Sequence, residues 1–215
     1  MFGRNDDPAE AAQLADMVII TVPDDAIAPV ASSIRPGPAV VVHTSGAAPL
    51  DVLAPHTRRG SVHPLVSLPD PATGAARLTG GAVFAVAGDP ATTVLVEALG
   101  GRAIVVDDAH RALYHATAAI AANHLVALCA QVERLAGRVG VPVEVYWDLM
   151  ASTLENVRRV GSAASLTGPA ARGDLATIRR HLDALPDGER DLYRGLAAAA
   201  ARLAGNPVDA DVFHG

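Results

Sequence analysis

The chain has 215 residues, half of them apolar and 3% aromatic, with a formal net charge of -6. This length fits one large domain or two small ones, and alanine, valine and leucine must supply the core. An acidic chain has no basic excess to displace counterions from nucleic acid, and no apolar run approaches the roughly 18–20 residues of a membrane span.

In chain order, the first segment "MFGRNDDPAE" lacks the apolar stretch of a signal peptide, so a cytoplasmic protein is expected. Five short β-branched runs follow, each bounded by Gly, Pro or Asp: 17–22, 39–43, 60–64, 82–88 and 102–108. Helical segments lie between some of them, notably 24–34 after Pro23 and 90–99 after Asp89. Continuous apolar strands alternating with helices predict an α/β domain with a largely parallel sheet covered on both faces.

After Asp108 the texture changes. Residues 109–137 carry a long alanine-rich helical pattern without proline, and further helices are predicted at about 142–160, 174–184 and 187–204. Gly and Pro punctuate the joints between them. The predicted organisation is an α/β domain over 1–108 and an all-helical domain over 109–215, whose alanine-rich helices suit pairing with a second copy of the chain.

Three absences bound the chemistry. All 17 basic residues are arginines, which removes Schiff-base chemistry, a phosphate-binding P-loop lysine and any lysine general acid. The single cysteine, Cys129, allows no internal disulfide. The eight histidines form no H-x-x-H or H-x-x-x-H pair, so no metal site is expected. Proton chemistry falls to His, Asp, Glu, Tyr or water.

Several strand ends read as sites. "TVPDDAI" (21–27) is a strand, a proline break and a helix start with Asp24 and Asp25 at the helix N-terminus; capping alone also explains them. "VVVHTSGAAPL" (40–50) delivers His43, Ser45 and Gly46 to a strand's carboxyl end, where ligands bind in open α/β sheets. "GSVHPL" (60–65) places His63 before a proline at the next strand end. In "ALYHATAAIAANHL" (112–125), His115 and Asn123 differ by roughly 80° on an ideal helix, with small alanines between them. A histidine there can protonate a developing alkoxide, and an amide can orient a carbonyl. In "LTGPAARGD" (166–174), Asp174 suits a helix cap, while Arg172 is not needed for capping and suits an anion.

"VPDDAI", "HTSG", "HPL", "YHA…AAN" and "LTGPAARGD", in that order, resemble a family of Rossmann-like proteins whose C-terminal part is domain of unknown function 2520. The resemblance runs from about Ala15 to Tyr193. Proteins of this family are similar in plan to pyrroline-5-carboxylate reductases, prephenate dehydrogenases and ketopantoate reductases. The resemblance implies a Rossmann-like domain followed by a helical domain like that of 6-phosphogluconate dehydrogenase. It also implies an NADP- or NAD-dependent oxidoreductase acting on a small anionic carbonyl or imine compound. On it, Val22, Pro23, Asp24, His43, Ser45 and Gly46 match cofactor-facing strand ends. His63, His115 and Asn123 fall at catalytic positions, and Arg172 and Asp174 at a substrate-binding loop.

One departure stands out. The fingerprint G-x-G-x-x-G occurs nowhere in the sequence, and the chain starts, in effect, partway through a nucleotide-binding fold. Either the true start lies upstream or this is a shortened form. Two functions are therefore expected in competition: the reductase, and a non-catalytic metabolite-binding or regulatory module with an incomplete nucleotide domain.

Overall fold

The structure is a computed structural model, and it describes residues 6–207. The chain divides into two compact units, Met1–Val126 and Ala127–Gly215. The change of sequence texture puts the division near residue 108. The structure puts it inside the long helical run, because the first turns of that run belong with the sheet.

In the first unit, a short helix α1 (Ala11–Leu14) precedes β1 (Met17–Ile20), α2 (Asp24–Ser33) and β2 (Val40–His43). A 3₁₀ turn (Leu50–Leu53) leads to β3 (Arg59–Pro64), α3 (Pro71–Thr79), β4 (Val83–Gly88), α4 (Ala91–Ala98) and β5 (Arg102–Val105). The five strands stand in the order β1-β2-β3-β4-β5. All neighbours are parallel except β3 and β4, which run antiparallel with Ser61 opposite Ala87 and His63 opposite Ala85. All five strands and the two helices predicted beside them are present; α3 is not foreseen by the periodicity. It starts where Asp70 caps it by accepting from the Thr73 amide, with Pro71 in its first turn.

Side chains alternate across the sheet. One face presents Val40, Val42, Val62, Phe84 and Val86, which pack with Val96 of α4. The other presents Ile20 and Val41, covered by Ile27, Ala31 and Leu53. On this second face the register sets His43 beside Ser61, with His63 two residues further along β3. Opposite them lie Ala85 and Ala87, whose small side chains leave room for a helix on that face.

That space is met by α5 (Arg111–Ala119). The helical run continues through a π-helical turn (Ile120–His124) into α6 (Leu125–Val139). By length and composition, Arg111–Val139 is long and apolar enough to cross a membrane, contrary to the reading of the sequence by uninterrupted apolar runs. Its alanines raise the mean hydropathy while His115, Asn123 and His124 interrupt the run. Its first two turns are bonded to β3 of the same unit, as described below.

The second unit continues with α7 (Glu144–Val160), α8 (Ser162–Ser165), α9 (Pro169–Arg172), α10 (Leu175–Ala184) and α11 (Asp187–Leu203). Ile178 and Leu182 of α10 pack on Ala197, Ala198 and Ala201 of α11, with Ala170 of α9 completing the cluster. Arg134 of α6 holds Glu189 through Nε at 2.6 Å and Nη2 at 3.0 Å. No residue of α7 is buried, and Val145, Leu149 and Leu154 stand exposed along it.

Candidate active site

The carboxyl ends of β2 and β3, together with α5, build a polar cluster inside the first unit. The loop after β2 is shaped by Ser45, whose Oγ accepts from the amides of Ala47 at 3.1 Å and Ala48 at 2.9 Å. The same hydroxyl donates to Asp24 Oδ2 at 2.8 Å. Asp24 therefore ties the start of α2 to this loop, and no side-chain cap forms at that helix end, which Pro23 begins. The competing explanation of Asp24 as a simple cap is set aside by this geometry.

The loop brings Gly46 against two imidazoles. A Cβ added there would lie 2.6 Å from His115 Cδ2 and 2.8 Å from His63 Nε2. Only a bare backbone lets both rings come so close. The His63 and His115 ring centroids are 5.8 Å apart at an interplanar angle of 79°. His63 also meets Tyr114 edge-on, and its Nδ1 is 2.8 Å from the Tyr114 hydroxyl. Both histidines and Tyr114 are half-buried, so the cluster keeps an open side.

Burial lowers the pKa of His63, with His115 and Arg111 adding to the effect, so the ring is neutral at pH 7. Burial raises that of the Tyr114 phenol, which stays protonated.

Beneath the cluster lies a charge. Arg111 is 2% exposed; its Nε donates to Asp108 Oδ1 at 2.9 Å and its Nη2 to Ser61 Oγ at 2.7 Å. Asp108 accepts from the Leu50 amide with its other oxygen at 2.8 Å. Beside it, His43 is fully buried, and neither ring nitrogen has a hydrogen-bond partner among the described residues; the Pro49 backbone approaches it without a well-formed bond. Burial first, then the Arg111 charge, lower its pKa to about 4. His43, which the sequence pattern places among the cofactor contacts, is thus a neutral, fully buried residue of the sheet.

The structure brings together Asp24, Ser45, Gly46, His63 and His115, with Val22 and Pro23 at the adjoining strand end. It does not add Asn123. The π-helical turn over 120–124 breaks the 100° progression on which the pairing with His115 rests, and Asn123 is exposed with no side-chain hydrogen bond among the described residues. In the second unit Asp174 caps α10 as expected, accepting from the Thr177 amide at 3.0 Å and the Thr177 hydroxyl at 2.7 Å. Arg172 ends α9, exposed and without a hydrogen-bond partner among the described residues.

Tyr114, Arg111, Asp108 and Ser61 escape the sequence reading. A signal for them exists: Ser61 and His63 share a strand face at i, i+2, and Arg111 shares a helix face with His115 at i, i+4.

The residues fit a nicotinamide dinucleotide in part. Asp24 has a carboxylate oxygen open to a ribose hydroxyl, and the Gly46 loop offers bare backbone beside the histidines. The start of α2 carries Asp24 and Asp25, two anions where a pyrophosphate needs a positive helix end. Among the described residues no group of three or more His, Cys, Asp or Glu is arranged to hold a metal.

The fold has relatives among solved structures. Protein TM1727 of Thermotoga maritima is 26% identical with a TM-score of 0.73, over 89% of this chain and 79% of that one. Protein BF3122 of Bacteroides fragilis, assigned as an NADP oxidoreductase, is 22% identical with a TM-score of 0.73, over 87% and 76%. The NADP-bound pyrroline carboxylate reductase of Plasmodium falciparum shares 10% identity at a TM-score of 0.57, over 93% and 81%. The last two likenesses speak to the fold alone. No curated protein matches the sequence significantly. A Rossmann-like domain matches residues 5–69, and the domain of unknown function 2520 matches residues 82–200, more than half of the chain. The chain therefore belongs to the family of domain of unknown function 2520 (DUF2520).

Proposed function

We propose that the chain is an NAD(P)-dependent oxidoreductase that reduces a small anionic carbonyl or imine compound. The observation that carries this reading is the His63–His115 pair against Gly46 at the carboxyl ends of two parallel strands of a Rossmann-like sheet. A bound nicotinamide would supply the hydride. Asp24 would hold a ribose hydroxyl, with Val22, Pro23 and the Ser45–Gly46 loop forming the wall beside it.

His115 serves as the proton donor: it is half-buried, and its ring nitrogens have no hydrogen-bond partner among the described residues. His63, fixed by Tyr114, keeps the second ring neutral and orients the first. Within the second unit, Asp174 caps α10 and fixes the backbone beside Arg172, an exposed guanidinium suited to an anion. Fluorescence titration of NADPH and NADH, followed by a turnover screen of small 2-oxo acids and cyclic imines, tests the reading.

The acidic start of α2 favours a second reading, a metabolite-binding or regulatory module without turnover. Binding of a small anion with no NADPH consumed marks that case. We also propose that the chain pairs with a second copy through α6 and α7. These long helices leave Val126, Val145, Leu149 and Leu154 exposed, and a matching pair of helices would cover them. Light scattering at micromolar concentration that gives the 22.0 kDa monomer mass rejects the pairing.

A further inference from the structure

The opposite end of the sheet carries a second polar cleft of about 450 Å³, a size suited to a small molecule. Because β4 runs antiparallel to β3, its last residues lie beside the first residues of β3, with Gly88 opposite Gly60. Gly88 has φ +81°, and a Cβ there would sit 2.2 Å from the Arg59 carbonyl oxygen, so this crossing is closed to other residues. Arg58 clamps Asp89 through Nε at 2.9 Å and Nη2 at 3.3 Å, and Asp89 in turn accepts from the Ala91 amide. The floor of the cleft is thereby built and its own charges are matched.

What remains unmatched faces the cleft. Arg59, Asp51 and Thr57 line it, and none of their side chains has a hydrogen-bond or ion-pair partner among the described residues. Asp108 also lines it, already shared between the Leu50 amide and Arg111. One free guanidinium, one free carboxylate and one hydroxyl are the complement of a ligand that carries both charges. A simple anion would meet Asp51 and Asp108, and a simple cation would meet Arg59.

The cleft is also wired to the histidine cluster. Asp108 holds Arg111, Arg111 holds Ser61, and Ser61 stands two residues before His63 on the same face of β3. Along α5, Arg111 lies one turn before Tyr114 and His115.

We propose that this cleft binds a small zwitterion of the α-amino acid class, its carboxylate on Arg59 and its ammonium between Asp51 and Asp108, and that occupancy is relayed to His63 through Arg111. The binding half stands apart from the reductase reading, whereas the relay rests on it. Isothermal titration of the full chain with the common α-amino acids, and with their N-acetyl and amide forms, tests the site. At least one free amino acid is expected to bind, and removal of either of its charges to weaken it tenfold or more. The Arg59→Ala and Asp51→Asn variants are expected to weaken it by a similar factor while keeping the wild-type circular dichroism. Absence of binding by every free amino acid overturns the site, and so does undiminished binding in the double variant. The His63 titration, followed by NMR, is expected to move at saturation; a fixed midpoint overturns the relay. None of these readouts needs NADPH, so a failed turnover screen leaves them informative.

Discussion

The Tyr114 hydroxyl stands 2.8 Å from His63 Nδ1, joining the second turn of α5 to the end of β3. This bond fixes one nitrogen of the imidazole and directs the other, Nε2, toward Gly46 and His115. Tyr114→Phe keeps the ring packing and removes only the hydroxyl. Urea unfolding is expected to show a loss of about 1 kcal/mol, the ordinary worth of such a bond. In the same variant kcat is expected to fall while KM changes little, because the ring that positions the proton donor loses its anchor.

Gly46 has no room to grow. Gly46→Ala puts a methyl within 3 Å of both histidine rings, and the rings must move or the loop must open. A destabilisation of about 1–3 kcal/mol is expected, typical of overpacking, with displaced His63 and His115 ring resonances in NMR.

The His115 charge helps to hold the His63 pKa down. Removing the second charge with His115→Gln is expected to raise the His63 pKa toward its ordinary value without reaching it, since burial is the larger cause. An NMR titration of the His63 C2 proton checks the sign; a downward move or no move rejects the coupling.

Much of this arrangement is legible in the sequence, and the reason is local. Strand ends declare themselves through β-branched runs stopped by Gly, Pro or Asp, and side-chain alternation then puts His63 and Ser61 on one face. The cap of Asp174 depends on three neighbouring residues and is legible for the same cause. What escapes is set by tertiary packing. Arg111 reads as an ordinary surface charge at a helix start, and only the alanines of β4 across the sheet make room to bury it. The π-helical turn that carries Asn123 away from the ideal progression has no signature in an alanine-rich stretch. His43 sits at a strand end like His63, yet lies where the 3₁₀ turn and α5 close over it.

Arg111 and Asp108 offer an asymmetric test. Asp108→Ala leaves a buried guanidinium without its carboxylate, whereas Arg111→Met removes the charge and leaves an acid that is 37% exposed. The first is expected to cost about 2 kcal/mol or more, discounted for that exposure, and the second less. Chemical denaturation that ranks them the other way contradicts the buried-charge reading.

His43 predicts a pH dependence of stability. Its pKa of about 4 in the folded chain lies below the 6.5 of a free imidazole, so the unfolded chain takes up the proton first as pH falls. Stability that is fully present above pH 6.5 is therefore lost between about 6.5 and 4, by about 2–3 kcal/mol from this residue. His43→Leu is expected to flatten that part of the curve, measured by urea unfolding from pH 7.5 to 4.5.

The assignment of His115 as proton donor is tested most directly by NADPH consumption with small 2-oxo acids and cyclic imines, comparing wild type with His115→Ala. We expect turnover by the wild type and a loss on the order of a hundredfold or more in the variant. Equal rates in the two proteins, or no NADPH consumed with any compound, would contradict the proposed reductase.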